Sequence, residues 1–337
     1  MTTETANPHS ASPLVTMPLV TMIVVCYNQS RFVLETLESV KAQTYKNTQL
    51  IIIDDCSSDD SVAIIDRWLQ ENDIQCTFIR HQKNQGICKS LNDVLAVATG
   101  KYISMIAADD VWLPDKIAQQ VEIMESQPES VGVLYSDAFQ MDEDGRASPG
   151  TYITTHWKFA ETPQGYILDS LLDSNFIPGM TTLIRRSCYD TVGLYDENLH
   201  WEDWDMWLRM ARHYSFVYSS TPAAKYRIHS RSFSRSDYAS MVTGSIKILL
   251  KQFSQGNLSE EQESKVMHSL AVRHLEAANF ARLNGNRSDA VKHLVECVRS
   301  AKLRLPGGFV AWTSILAYVF FGLKRLRWWK GSNPARS

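Results

Sequence analysis

The chain has 337 residues, 44% of them hydrophobic and 21% charged, enough for about two domains of ordinary size. Thirty-four Lys and Arg stand against 37 Asp and Glu, a formal net charge of −3, so no global basic field marks nucleic acid as a partner. Fifteen Gly and 11 Pro exclude collagen-like and low-complexity classes, and 10% aromatic residues exclude a mainly disordered chain.

Residues 1–18, rich in Thr, Ser, Pro and Asn, read as a flexible leader. No Lys or Arg precedes Arg31, which denies a secretory signal its basic start, so the protein is expected in the cytoplasm. The six cysteines, Cys26, Cys56, Cys76, Cys88, Cys188 and Cys297, form no CxxC pair and read as reduced thiols.

Leu19–Tyr27 is a short apolar, β-branched run closed by Asn28, the pattern of a strand buried on both faces. Helical spacing follows at Phe32, Val33, Leu37 and Val40. A second apolar strand, Leu50–Ile53, then runs into Asp54-Asp55-Cys56-Ser57-Ser58-Asp59-Asp60. The next units are a helix over 60–71, a strand at Thr77–Arg80, a helix over 87–98 and a strand at Lys101–Ile106 that ends in Ala107-Ala108-Asp109-Asp110. Strands alternating with helices predict βαβ crossovers and a mostly parallel sheet flanked by helices. Ligands of such α/β sheets bind beyond the carboxyl ends of the strands, so both acidic pairs are expected to face one cleft.

After a helix from Asp115 to about Glu125 the pattern loosens. Strands are predicted at Val131–Ser136 and Met180–Arg185, a loop around 141–150 and a helix over 203–213. Beyond 237 the chain reads as a helical extension to residue 304: Ser259 with Gln262 makes a capping box before a long helix, and Asn284-Gly285-Asn286 turns it into a second. This hairpin is similar to one tetratricopeptide unit. In the tail, Phe309–Leu323 is uncharged and apolar, and Lys324, Arg325, Arg327, Trp328, Trp329 and Lys330 follow. Fifteen helical residues would span about 22 Å, short of a bilayer core of roughly 30 Å. Residues 305–330 are therefore expected to lie on a membrane surface, with burial as a terminal helix the alternative.

Several side chains could carry chemistry. Asp109-Asp110 would repel unless a cation or donor neutralises the pair, and Mg2+ or Mn2+ bound with a nucleotide diphosphate does so; capping of the next helix would serve equally. Asp54-Asp55 offers the same choice, with a nucleobase or ribose as the ligand. Glu202 and Asp203, among Trp201, Trp204 and Trp207, read either as a general base raised by desolvation or as a helix N-terminus enriched in acids. The spacing of those tryptophans favours core packing. His229 could ligate a metal or serve structurally, and Arg231 and Arg235 could meet phosphates or face solvent.

The set Val24-Val25-Cys26-Tyr27-Asn28, residues 51–60, Asn84-Gln85-Gly86, residues 100–116 and residues 201–209 resembles family 2 glycosyltransferases of the GT-A fold over about residues 19–235. That resemblance implies a nucleotide-sugar-binding half (19–125) and an acceptor half (126–236). It places Asp55 on the base, flanked by Tyr27 and Asn28, with Asn84 also at the nucleotide sugar, Asp109 on the ribose, Asp110 and His229 at a divalent metal (Mn2+ or Mg2+), and Asp203 as the base of inverting transfer. Two departures stand out. Ala107 replaces the first acid of the strand-end motif, and Cys56 sits where the family's Gly would accept a positive φ.

The implied protein is a metal-dependent enzyme of cell-envelope polysaccharide assembly. It takes a nucleotide-diphosphate sugar and a saccharide or lipid-linked acceptor, not nucleic acid, peripherally on the inner face of the membrane. A catalytically silent nucleotide-sugar-binding module is the alternative. A sugar nucleotidyltransferase is disfavoured, since Cys26-Tyr27-Asn28-Gln29-Ser30 has no phosphate-binding glycine.

Overall fold

A computed structural model describes residues 17–199, 202–230 and 238–302. Its first half alternates β1 (Val20–Cys26), α1 (Val33–Lys41), β2 (Thr48–Asp54), α2 (Ser61–Asn72), β3 (Thr77–Arg80), α3 (Ile87–Val97) and β4 (Tyr102–Ala107). A helix in every crossover makes the pairs β3–β2, β2–β1 and β1–β4 parallel. Ile23 of β1 faces a core with Ile51, Ile53, Leu91 and Val94, whereas Val20, Met22 and Val24 face Val33, Leu37, Ile65 and Trp68. Both faces of the strand are covered, which is why its apolar run does not alternate.

The second half comprises β5 (Val111–Trp112), α4 (Lys116–Glu125), β6 (Val131–Asp142), β7 (Ala147–Thr151), α5 (Tyr152–His156), α6 (Leu168–Asp173), β8 (Leu183–Arg185), α7 (Ser187–Val192), α8 (Glu202–Ala211) and β9 (Ser215–Ile228). The sheet order is β3-β2-β1-β4-β8-β6-β9-β5, with β7 beside β6. β8 runs antiparallel to both β4 and β6, while β6 and β9 are parallel, so the sheet is mixed beyond β4. β6 continues past Ser136 because its polar residues Asp137 and Gln140 are buried with partners. Within the expected loop at 141–150, Ala147–Gly150 are exposed strand residues without an apolar face to announce them.

Two buried cations staple the halves together. Lys116 Nζ donates to Ser104 Oγ (2.6 Å), Gln120 Oε1 (2.8 Å) and the Thr182 carbonyl (3.1 Å). Arg185 reaches the Val131 and Met124 carbonyls and the Tyr102 hydroxyl.

The C-terminal region is helical: α9 (Tyr238–Ser254), α10 (Glu260–Leu283) and α11 (Arg287–Lys302). Ser259 and Gln262 form the reciprocal cap of α10. Val242, Leu249, Val266 and Leu270 share a core with Leu171, Trp204 and Leu208, so these helices continue the α6/α8 face of the sheet. Residues 1–16 of the leader and 303–337, which include the apolar and basic tail, lie outside the described residues. Among the described residues no helix is long and apolar enough to cross a membrane.

Gly100, where β4 begins, is closed in on all sides: a Cβ there would stand 2.5 Å from the Thr21 amide nitrogen and 2.8 Å from the Tyr102 carbonyl. Both obstacles are backbone within the sheet and cannot rotate aside. Gly100→Ala is expected to cost about 1–3 kcal/mol, read as a lower urea midpoint at unchanged slope.

Candidate functional site

The carboxyl ends of β1 and β2 are tied by turn residues in left-handed conformations. Asn28 has φ 54°; its N–H donates to Ser57 Oγ and its Oδ1 accepts the Ser58 N–H, both at 2.8 Å. Cys56 has φ 65°, the conformation that its place at a glycine position leads one to expect, at a cost of about 1–2 kcal/mol for an L residue. Asp54 is consumed by the same turn, accepting the Ser57 N–H at 2.8 Å. Tyr27, 47% exposed, overhangs the strand end.

Asp55 is buried beside that turn. Its Oδ1 lies 2.7 Å from His81 Nδ1 and accepts the Gln85 N–H, and its Oδ2 accepts the Gly86 N–H, the latter two at 2.8 Å. His81 Nε2 in turn lies 3.1 Å from Asp93 Oδ2. Asp55 thus holds the loop that presents the exposed Asn84. His81 was missed by sequence reasoning because nothing in its neighbourhood marks it.

At the end of β4 the two acids separate. Asp110 is buried, its Oδ1 accepts the Arg227 N–H at 2.8 Å, and its own carbonyl accepts Thr36 Oγ1 at 2.7 Å. Burial, then the charge of Asp109, pushes its carboxyl well above the usual range. Asp109 is more accessible, and its Oδ2 lies 3.0 Å from His229 Nε2 and 3.3 Å from Gln29 Nε2. The structure therefore pairs His229 with Asp109, while the expected metal ligand Asp110 accepts from the edge of β9 on Oδ1. Arg227 secures the pairing, donating through Nε to the Asp109 carbonyl at 2.8 Å and to Glu35, with its guanidinium 4.7 Å from the Phe32 ring centre. Phe32 also packs against the His229 ring.

Glu202 and Asp203 open α8. The Trp204 N–H bonds Asp203 Oδ1 at 2.6 Å, and the Asn175 side chain donates to the same carboxylate. Enclosure by surrounding atoms outweighs these bonds and pushes Asp203 up to about 6; burial and the charge of Asp203 push Glu202 up to about 8. The two titrate as a pair. Trp204 and Trp207 are sealed in the core. His200, Trp201, Arg231 and Arg235 lie outside the described residues.

Gln29 joins the two acidic turns, donating its N–H to Ser61 Oγ at 2.9 Å while its side chain meets Asp109. Desolvation first, then the charges of Tyr226, Asp203, Asp110 and Asp137, push the Tyr152 phenol up. A carboxylate suits either Mn2+ or Mg2+, and an added imidazole favours the transition metal Mn2+, with substrate phosphates able to complete the shell. Among the described residues no three His, Cys, Asp or Glu side chains converge on one point.

Comparisons with known proteins agree with this architecture. A family model described as glycosyl transferase family 2 matches residues 21–192. The uncharacterized glycosyltransferase RP339 of Rickettsia prowazekii is 27% identical over 322 residues, covering 93% of this chain and 92% of that one. The Escherichia coli UDP-Glc:alpha-D-GlcNAc-diphosphoundecaprenol beta-1,3-glucosyltransferase WfaP is 35% identical over 123 residues, 36% of this chain and 47% of that protein. Among solved structures, the mannosyltransferase PcManGT of Pyrobaculum calidifontis, in complex with GDP-Man and Mn2+, superposes with a TM-score of 0.59 at 18% identity over 90% of this chain and 86% of that one. TarS 1–349 of S. aureus with UDP-GlcNAc gives 0.60 at 17% identity over 83% and 81%.

The different fates of the two strand-end acids can be measured. Asp110→Ala strands the buried Arg227 N–H and is expected to cost about 1–3 kcal/mol, whereas Asp109→Ala, at a more open position, costs under about 1 kcal/mol. Equal urea midpoints for the two variants would contradict this division.

Proposed function

The chain belongs to glycosyl transferase family 2, and from that premise we propose an inverting enzyme that moves a sugar from a nucleotide-diphosphate sugar onto a hydroxyl of a saccharide or lipid-linked acceptor. The observations that support this reading are Asp109 against His229 after β4, and Asp203 at the head of α8, raised to about 6 by burial. The named activity of WfaP, on a diphosphoundecaprenol acceptor, supports a lipid-linked acceptor and a place in cell-envelope polysaccharide assembly.

At the donor end Tyr27, Asn28, Asp55 and Asn84 would receive the nucleoside, on the loops tied together by Asp54 and Asp55. Asp109 and His229 would hold a divalent ion, Mn2+ or Mg2+, which offsets charge developing on the leaving diphosphate. Asp110 keeps β9 against the β4 turn and so keeps His229 in reach of Asp109. At the acceptor end Asp203 takes the proton from the attacking hydroxyl. Asn175 and the Trp204 amide point its carboxylate, and a value near 6 leaves it ionised yet basic at neutral pH. Attack from the face opposite the leaving group inverts the anomeric centre.

The test begins with a thermal-shift panel of UDP, GDP, dTDP and CMP, with and without Mn2+. One diphosphate is expected to raise the midpoint in a Mn2+-dependent way, and Asp109→Ala to abolish that dependence. No shift with any nucleotide would overturn the donor site. With the sugar nucleotide so identified, Asp203→Asn is expected to lower turnover by about 10²–10⁴-fold. Because the base works only when ionised, wild-type kcat/KM should rise as pH passes upward through about 6; a flat profile from pH 5 to 8 would remove Asp203 from that role.

Residues 305–330 supply the reading's second limb, a peripheral contact with the inner face of the membrane, motivated by an apolar run followed by Lys, Arg and Trp. Deleting them should release the protein from vesicles containing anionic lipid while the nucleotide-dependent shift persists; equal vesicle binding by the truncated chain would exclude the anchor.

A further inference from the structure

We propose that Tyr152, Trp157 and Asn175 form the acceptor subsite and that the acceptor presents a pyranose ring to it; this rests on the transferase reading above. The subsite is built rather than incidental. Asp137, buried on β6, accepts the Ile153 N–H on Oδ1 (2.8 Å) and Thr151 Oγ1 on Oδ2 (2.6 Å), so the residues on either side of Tyr152 are fixed to the sheet. The Tyr152 ring lies 5.4 Å from Trp157, 5.0 Å from His156 and 5.3 Å from Tyr226, centre to centre. All four of these rings retain partial exposure, whereas Trp112, Trp204 and Trp207 elsewhere in the molecule are at most 2% exposed. An aromatic cluster formed only to fill the core would be sealed as those are.

A polar edge adjoins the rings. Trp157 Nε1 donates to Ser174 Oγ at 3.0 Å, and the next residue, Asn175, has its side chain beside Asp203, where it favours the ionised carboxylate. The Asn175 Oδ1 is buried without a hydrogen-bond partner. An orphaned buried acceptor is costly and calls for a reason; here it stands beside the carboxylate that receives a hydroxyl proton, in place to accept from a neighbouring hydroxyl of the same ligand. Gly179 lies on the same side, where a Cβ would stand 3.8 Å from Asp203 Oδ2.

Aromatic faces next to an amide and a carboxylate suit a pyranose, whose axial C–H face stacks while its rim hydroxyls hydrogen-bond. The same surroundings reject an anionic group, since the charges of Asp203, Asp110 and Asp137 reach Tyr152. Desolvation, then Tyr226, Asp203, Asp110 and Asp137, push the Tyr152 phenol up, so it stays a hydrogen-bond donor at neutral pH. The acceptor is thus recognised through a neutral sugar ring, with any phosphate or lipid held farther off.

Saturation-transfer NMR with methyl pyranosides of glucose, galactose, mannose, N-acetylglucosamine and rhamnose tests this without a donor or turnover. The full chain should give transfer to at least one pyranoside. Trp157→Leu, which keeps apolar volume but removes the aromatic face, should reduce it about tenfold, and Trp157→Phe should retain most of it. Circular dichroism establishes that each variant is folded, and Tyr152→Leu is the second probe where Trp157→Leu is not. No transfer to the wild type, or equal transfer to Trp157→Leu and Tyr152→Leu, would overturn the subsite. A silent nucleotide panel with pyranoside binding intact would instead overturn the donor site alone.

Discussion

A buried carboxylate is tolerated only where donors replace its water, and this constraint organises the whole carboxyl edge of the sheet. Asp54 is answered by Ser57, Asp55 by His81 and two loop amides, Asp110 by the Arg227 N–H, and Asp137 by Thr151 and Ile153. Apart from the Asp54 bond, which closes its own turn, these bonds join segments 14 or more residues apart, so the acids work as fasteners for the loops at the strand ends. Asp109 and Asp203 differ in kind: their partners are an imidazole, a pair of amides and one backbone N–H, at positions that still meet solvent. The proposed chemistry is assigned to these two because most of the other acids at this edge are engaged in holding the fold.

This explains what could be read from the residues and what could not. The crossover half was legible because β1 and β2 are apolar on both faces and each strand hands over to a helix of 9–12 residues. The expected strain at Cys56 was legible too, since the turn has a residue where only backbone freedom is needed. The pair Asp109-Asp110 marked the strand end, but which acid faces the cleft depends on where β9 lies, and β9 comes more than a hundred residues later. Asn175, His81 and the aromatic cluster were invisible for the same reason. Their roles arise from contacts across the chain, and no periodicity encodes a contact between Asn175 and Asp203.

The helical region bears on the site through Asp205. Its carboxylate, 1% exposed, accepts Arg209 Nε at 2.9 Å and Lys251 Nζ at 3.1 Å, and Lys251 also bonds Asp196. Asp205 lies two residues beyond Asp203 on α8, so a lysine from α9 braces the helix that presents Asp203. Arg212 adds a second tie, reaching Gln252 and the Gly256 carbonyl. A charge pair with one member this deeply buried is costly to break, and it makes the orientation of α8 depend on residues outside the nucleotide-binding half.

The two ends of the cleft are consequently held by different physics. The nucleotide end rests on short-range turns and backbone amides, which admit little change: Asn28, Cys56 and Gly86 all hold positive φ values there. The acceptor end rests on side chains drawn from β6, α5, the 174–179 segment and α8, where rings can be exchanged without disturbing a strand register. Substrate choice can therefore vary at Trp157 or Tyr152 while Asp137 and Asp205 keep the frame. On the proposed reading, a fold arranged this way keeps the donor site fixed and leaves acceptor recognition to the half whose sequence pattern is least regular.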